Sequence, residues 1–198
     1  MAALTILIIR HAEKPHEAWP GPGLNPDGTP DEECLVIRGW QRAGAWAALF
    51  GAGLGGADYP QPQVIFAADP DTPHGDKEPP PGGKEPSQRP FETIKPLADR
   101  LGLTPVKDFA KGQEESLAQK LVSLDGLVVL VSWEHEAIVG ALLPDIVKGQ
   151  TVPGIPTKWD GTRFDVVLRF DRAAPGARWS FRQLFPRLLS GDSDTPLK

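Results

Sequence analysis

The chain has 198 residues, of which 40% are hydrophobic and 24% are charged, and its formal net charge is −5. This length and composition are typical of one globular domain with a sizeable core. The acidic balance argues against nucleic-acid binding, which needs a basic face, and the sequence contains no apolar run of the roughly 18–20 residues that cross a bilayer. Its one cysteine, Cys34, excludes an internal disulfide. We therefore expect a cytoplasmic protein with no nucleic-acid or membrane partner.

The predicted elements alternate between short apolar strands and helices. Runs of apolar and β-branched residues predict buried strands over residues 4–9, 64–67 and 127–132. Apolar residues at helical spacing predict helices over residues 38–50, 90–101, 113–124 and 135–143. Two later strands, over residues 164–170 and 178–184, are predicted to form a hairpin around Pro175 and Gly176. This pattern predicts a three-layer α/β/α sandwich with a mostly parallel central sheet.

A Pro- and Gly-rich segment at about residues 69–88 interrupts the pattern. It contains the run Pro79-Pro80-Pro81-Gly82-Gly83. Such a composition buries too little apolar surface to offset the entropy cost of ordering the chain. We interpret the segment as an insertion loop, either functional or disordered, within a single domain that spans residues 1–198.

Chemically active residues are expected where the apolar strands end, because ligands of open α/β sheets bind beyond the carboxyl ends of the strands. The first strand is followed by Arg10-His11-Ala12-Glu13-Lys14. A neutral imidazole can attack phosphorus, and a guanidinium offers a planar fork of donors to phosphoryl oxygens. An isolated Arg-His pair is more often an ordinary surface turn, so this pair alone does not establish a site.

Three further segments follow the Arg10-His11 pair along the chain, and together the four segments resemble the motif order of a known family. Arg10-His11-Ala12 resembles the Arg-His-Gly signature of the histidine phosphatase (phosphoglycerate-mutase-like) superfamily, with alanine in place of glycine. Residues 36–43, 89–94 and 128–135 are similar, in turn, to the family's next helix start, its Arg-Ala-x-Gln-Thr-Ala helix and the strand that delivers its second histidine. The resemblance covers residues 6 to about 143 and implies a phosphoglycerate-mutase-like fold.

The resemblance also implies roles for individual residues. His11 would be the phosphorylated nucleophile, Arg10 and Arg89 would bind the phosphoryl oxygens, and His135 would complete the pocket. Arg38 and Arg42 are alternatives to Arg89, which follows the insertion. No metal or cofactor is implied, because the arginines supply the positive charge.

The sequence departs from the family pattern after the second and third strands. Ala68-Asp69-Pro70 replaces the usual Ser-Ser-Pro, and Trp133-Glu134-His135-Glu136 replaces Ser-His-Gly. Glu136 resembles the acid of the His-Asp pair in the acid-phosphatase branch, so it is the favoured general acid. The rival general acids are Glu13, Asp108, Glu114 and Glu115. Two tryptophans, Trp19 and Trp133, are candidates for the lining of a substrate site.

The implied activity is hydrolysis of a small-molecule phosphomonoester through a phosphohistidine intermediate. Three alternatives stay open: phosphoglycerate-mutase-type phosphoryl transfer, a non-catalytic phosphate-binding or interaction module on the same fold, and a metal-dependent hydrolase using His11 and Glu13. A mutase needs a closed, substrate-specific site, and the loops at residues 15–36 and 69–88 contain no recognisable one. Hydrolysis is therefore favoured, while the sequence indicates neither the substrate nor the oligomeric state.

Overall fold

The computed structural model describes residues 3–53, 55–71 and 87–198. Its strands are β1 (Leu4–Arg10), β2 (Val64–Ala67), β3 (Val128–Trp133), β4 (Val167–Arg172) and β5 (Ser180–Leu184). They form one sheet in the order β2-β3-β1-β4-β5. β3 pairs in parallel with both β1 and β2, whereas β4 runs antiparallel to β1 and to β5. The predicted mostly parallel sheet and the β4–β5 hairpin are therefore confirmed, with β4 as the reversed strand.

The helices follow the predicted order. They are α1 (Ile37–Gly51), α2 (Arg89–Leu101), α3 (Glu114–Val122), α4 (His135–Ala137) and α5 (Leu143–Ile146). Residues Ile138–Leu142 join α4 to α5 through a π-helical stretch, so the helix predicted at 135–143 continues further and contains a widened turn. At the end of α2, Gly102 adopts φ 65°, the left-handed conformation that favours glycine and stops a helix.

Alternate residues of β1 pack on opposite faces of the sheet. Ile6 and Ile8 belong to a core shared with α3 and the α4–α5 segment. Leu7 and Ile9 belong to a second core, which includes Trp46 of α1 and residues of α2. Both faces are therefore covered by helices, and the predicted α/β/α sandwich is confirmed.

The C-terminal residues pack along the segment that leads into β4. Arg163 donates to the Thr195 carbonyl at 2.8 Å, and the Ser193 N–H donates to the Asp165 carboxylate at 2.6 Å. The carbonyl of Lys198 accepts from the N–H groups of Thr157 and Lys158, each at 2.8 Å. These bonds fix the 157–165 segment, which borders the candidate site.

Most of the predicted insertion lies outside the described residues, so its interpretation as a functional or disordered loop stays a prediction. Within the described ranges, none of the helices has the length and apolar character that crossing a membrane requires.

Candidate active site

The two candidate histidines follow neighbouring parallel strands. His11 comes directly after β1, and its N–H donates to the Trp133 carbonyl at 3.0 Å. His135 begins α4 and is separated from the end of β3 by a single residue, Glu134. Because Arg10 lies opposite Trp133 in the parallel register of β1 and β3, both histidines leave the sheet at the same edge.

The His11 ring is buried and held in one tautomer. Its side chain has little exposure, and Nδ1 lies 2.8 Å from the Ala12 carbonyl oxygen. A carbonyl only accepts, so we assign the ring hydrogen to Nδ1, which leaves the lone pair on Nε2. Burial, together with the charges of Arg10 and Arg89, holds the pKa of His11 well below its ordinary value. The ring is therefore neutral at pH 7, which is its nucleophilic form.

Arg10 is fixed by a distant loop and by an aromatic ring. Its Nη1 donates to the carbonyls of Asp160, Gly161 and Arg163 at 3.3, 2.8 and 3.0 Å. The guanidinium carbon lies 3.7 Å from the centroid of the Phe164 ring, a cation–π contact. Burial lowers the pKa of Arg10 to about 10, so the group stays charged at neutral pH.

The buried Nε of Arg10 has no hydrogen-bond partner among the residues that the structure describes. An unpaired N–H of a buried cation costs free energy, and a bound anion is one group that would satisfy it. Arg10 thus binds the backbone of the 160–163 segment through Nη1, and its Nε is a candidate contact for an anion.

The first turn of α2 is joined to the segment that carries His11. Thr93 Oγ1 accepts from the Ala12 N–H at 2.7 Å and donates to the Arg89 carbonyl at 2.7 Å. The helix N-terminus, with its free N–H groups and favourable dipole for an anion, therefore lies beside the residue after His11. This contact brings the third predicted element to the same edge of the sheet.

The Arg89 guanidinium contacts the turn at residues 32–34. Its Nη2 donates to the Glu32 carbonyl and lies 3.3 Å from the Glu33 carboxylate, and its Nε donates to the Cys34 carbonyl at 3.4 Å. The side chain is still close enough to lower the pKa of His11. Its role in phosphate binding remains a prediction.

We expect Arg89→Ala to lower kcat/KM by on the order of a hundredfold, because a bidentate arginine contact strengthens as charge develops in the transition state. Arg89→Lys should recover little of this loss, since an ammonium group lacks the planar fork. Lys95→Ala, which removes an exposed cation from the same helix, is the control. Steady-state kinetics with an aryl phosphate measure the effect, and an Arg89→Ala variant as active as the control would show that this arginine is aligned wrongly.

His135 contacts a carboxylate to which the sequence pattern assigns no role. Its Nδ1 lies 2.7 Å from Glu134 Oε1, at an angle too poor for a well-formed hydrogen bond. Glu134 is the N-cap of α4 and accepts from the N–H groups of Glu136 and Ala137 at 3.1 and 2.9 Å. An acidic residue at a predicted helix start, where the helix dipole favours negative charge, is the signal that could have found it. Glu136, the favoured general acid, is exposed, and its charge acts on Arg10.

Glu13 and the rival arginines form a separate ionic cluster, in which Glu13 and Arg42 are buried and Arg38 is partly exposed. The Glu13 carboxylate accepts from Arg42 at 2.8–3.1 Å and from Arg38 Nε at 3.1 Å. Arg42 also binds both oxygens of Asp192, at 2.8 and 3.0 Å. Arg38 and Arg42 are therefore engaged by carboxylates, and Glu13 is held as an ion-pair partner.

Trp133 does not line the site. It is fully buried in the core beneath the sheet, and its Nε1 donates to the Glu114 carboxylate at 2.9 Å. The expectation that it borders a substrate is therefore wrong. The same bond engages Glu114, while the remaining rival acids, Asp108 and Glu115, are exposed.

Trp19 is connected to His11 through Phe164, and its role in lining a substrate site stays a prediction. Its ring meets Phe164 edge-on at 5.2 Å between centroids, and Phe164 lies 6.0 Å from the His11 ring. Trp19 and Phe164 also line a cavity of about 310 Å³, together with Arg38 and Arg163. Phe164 is therefore next to both the His11 ring and this cavity.

Across residues 3–53, 55–71 and 87–198, the structure places no group of three or more His, Cys, Asp or Glu side chains where they could hold a metal ion. Cys34 is a buried free thiol, and burial followed by its contact with Glu92 raises the pKa of Cys34 above its ordinary value. Neither observation adds a second type of catalytic group to the site.

Solved structures that match this chain include a mycobacterial phosphatase and two mycobacterial hydrolases. The native mycobacterial glucosyl-3-phosphoglycerate phosphatase matches with a TM-score of 0.52 and 16% identity, over 92% of this chain and 98% of that one. Two further structures, mycobacterial hydrolases 1 and 2, match with TM-scores of 0.53 and identities of 16% and 17%. They cover 91% and 98% of this chain and 97% and 95% of their own. This chain has the histidine phosphatase fold.

The histidine phosphatase fold confirms the resemblance that the sequence indicated, at the level of architecture. No family model matches the chain, and a search of curated protein sequences finds no significant match. At such low identity the likeness extends to the fold, and the chemistry must be argued from the residues of this chain.

Proposed function

We propose that this protein is a metal-independent phosphohydrolase that cleaves a phosphomonoester of a small molecule through a phosphohistidine on His11. The observation that carries the proposal is the state of His11: a buried, neutral ring with Nδ1 bonded to the Ala12 carbonyl and two arginine charges nearby. The glucosyl-3-phosphoglycerate phosphatase of the same fold supports a phosphate ester as the substrate class.

The proposed reaction has two steps. His11 Nε2 attacks phosphorus, the bond to the leaving oxygen breaks, and that oxygen takes a proton. Water then attacks the phosphorus of the phosphohistidine, the P–N bond breaks, and inorganic phosphate leaves. Dividing one displacement into two lowers the barrier of each. Glu136, in its protonated form, is the proposed proton donor to the leaving oxygen, because it follows His135 in the chain and lies within electrostatic reach of Arg10. Its carboxylate then takes the proton of the attacking water, which restores the acid.

The arginines and His135 supply electrostatic stabilisation in this proposal. Arg10 and Arg89 would bind the phosphoryl oxygens, and His135 would donate to them from the neighbouring strand end. Preorganised cationic donors in a site shielded from water are among the largest contributions to such catalysis. The hydrogen bonds from Arg10 to the carbonyls of the 160–163 segment provide this preorganisation.

The intermediate is the direct test. An aryl phosphate labelled on phosphorus should, in rapid-quench experiments with EDTA present, give an acid-labile, base-stable phosphate on the peptide that contains His11. Vanadate, which mimics five-coordinate phosphorus, should inhibit turnover. Strict dependence on magnesium or zinc would contradict the proposal in favour of a metal hydrolase.

The same labelling experiment also tests for phosphoryl transfer and for phosphate binding without catalysis. A labelled enzyme that releases its phosphate only to an added sugar phosphate, and not to water, would indicate phosphoryl transfer. Binding of inorganic phosphate without any label or turnover would indicate a phosphate-binding module.

A further inference from the structure

One buried hydroxyl group attaches the backbone after β1 to the first turn of α2. Thr93 Oγ1 lies 2.7 Å from the Ala12 nitrogen and 2.7 Å from the Arg89 carbonyl oxygen. A hydroxyl has a single hydrogen, which the carbonyl must receive, so the oxygen lone pair accepts from the Ala12 N–H. Each of the two bonds therefore has only one possible direction.

The bond to Ala12 is not one that helix geometry requires. A threonine in a helix often donates to the carbonyl four residues before it, as Thr93 does to Arg89. The acceptor side of the same hydroxyl reaches a residue 81 positions away in the chain. Thr93 and Ala12 are 0% exposed and His11 is 4% exposed, so water does not readily replace Thr93 as the partner of this N–H.

Ala12 is also the residue that orients the His11 ring. Its carbonyl oxygen lies 2.8 Å from His11 Nδ1 and fixes the hydrogen on that nitrogen. The carbonyl of the next residue, Glu13, accepts from the Val36 N–H at 3.1 Å, at the start of α1. The backbone is thus attached to α2 before the Ala12 carbonyl and to α1 after it. Loss of the Thr93 bond would release one of these attachments and let the Ala12 carbonyl move away from the ring.

We propose that Thr93 is a positioning residue that, through Ala12, holds His11 with its hydrogen on Nδ1 and its lone pair on Nε2. The inference rests on the proposed function in treating Nε2 as the atom that attacks phosphorus. The control of the ring by Thr93 depends only on the hydrogen bonds that join the three residues. When the Ala12 carbonyl is displaced, the neutral ring can take its other tautomer, in which Nε2 carries the hydrogen and has no lone pair for phosphorus.

The test compares ring tautomers by NMR in the intact protein without substrate. Ring nitrogen shifts distinguish a nitrogen that carries a hydrogen from one that does not, and His11→Asn identifies the His11 resonances among those of the four histidines. The wild type should carry the hydrogen on Nδ1. Thr93→Val, which keeps the shape of the side chain but cannot form hydrogen bonds, should give a mixture of both tautomers. Thr93→Ser, which keeps the hydroxyl, should retain the wild-type tautomer.

Turnover is the second readout. Thr93→Val should lower kcat for an aryl phosphate by on the order of ten- to a hundredfold, because the attacking nitrogen is displaced or carries a hydrogen. Thr93→Ser should recover most of this loss. Thr5→Val is the matched control, because Thr5 Oγ1 donates to Asp171 at 2.8 Å at the opposite end of β1 from His11. The control should change the melting temperature but neither kcat nor the His11 tautomer.

Thr93→Ala removes the same hydroxyl with a residue that favours a helix, and it takes the place of Thr93→Val if that variant does not fold. An unchanged His11 tautomer in the folded variant would overturn the inference, even if turnover falls, because a loss of stability would explain that fall. A wild-type ring with its hydrogen on Nε2 would overturn it as well. A changed tautomer in a protein that cleaves no phosphate ester, or that cleaves it as fast as Thr5→Val does, would sustain the role of Thr93 and contradict the proposed function instead.

Discussion

His11→Asn is expected to lower turnover of an aryl phosphate by at least about a thousandfold, because it removes the nucleophilic nitrogen on which the two-step reaction depends. The asparagine amide can still donate to the Ala12 carbonyl, which the His11 Nδ1 contacts at 2.8 Å. The pocket should therefore keep its shape and its affinity for inorganic phosphate. Steady-state rates and equilibrium binding of phosphate, measured on the same preparation, separate the two effects.

The matched control is His16→Asn in the same loop. His16 is exposed and its ring accepts from the Ala18 N–H at 3.1 Å, so the substitution is chemically identical but removes no buried group. Turnover close to that of the wild type is expected for this variant. If His11→Asn and His16→Asn are equally active, His11 is not the nucleophile.

The architecture and the position of His11 could be predicted because their signals are local. A continuous apolar run predicts a buried strand, and the first polar residues after it must lie at the strand's carboxyl end. That reasoning places Arg10 and His11 correctly at the end of β1. It also places His135 correctly just after β3, from which only Glu134 separates it. It needs no knowledge of the rest of the chain.

The environment of Arg10 could not be predicted in the same way. Its guanidinium bonds to carbonyls of Asp160, Gly161 and Arg163, which lie 150 to 153 residues further along the chain. Nothing in a sequence records which backbone carbonyls face a given side chain. The partnership of Glu13 with Asp192 through Arg42 is of the same kind.

The expectation that Trp133 lines a substrate site was wrong, and the alternation of side chains along β3 would have corrected it. Successive side chains of a strand point to opposite faces of the sheet. Trp133 lies in register with Arg10 and packs in the same core as Val129 and Val131, on the α3 side. Proximity in sequence to His135 was therefore a poor guide to proximity in space.

Arg42→Met is expected to destabilise the protein by about 3–5 kcal/mol, because removing one partner of a buried ionic group leaves the other charges unpaired. Arg42 is 2% exposed and binds Glu13 and Asp192, which are equally buried. Methionine preserves much of the side-chain volume, so the loss reports on charge pairing more than on packing. Urea unfolding at neutral pH measures the change in the free energy of unfolding.

Two comparison variants show whether that loss comes from unpaired carboxylates. Lys95→Met breaks the exposed Lys95–Asp99 pair on α2 and should cost less than about 0.5 kcal/mol. Adding Asp192→Asn to Arg42→Met should recover part of the stability, because one unpaired charge is removed. A double variant that is as unstable as the sum of its single changes would show that Arg42 acts mainly through packing.

The stability loss of Arg42→Met should also depend on pH. Burial would raise the pKa of Asp192, but hydrogen bonds from Arg42 and from the Leu189 N–H outweigh it and lower the pKa. A carboxylate with a lowered pKa contributes stability above its unfolded pKa of about 3.9, and that contribution is lost as the pH falls through the folded value. In Arg42→Met the Asp192 carboxylate can take up a proton to relieve its burial, so the difference in unfolding free energy from the wild type should narrow as the pH falls from 7 toward about 4. A difference that stays constant over this range would mean that the Asp192 carboxylate is not the source of the instability.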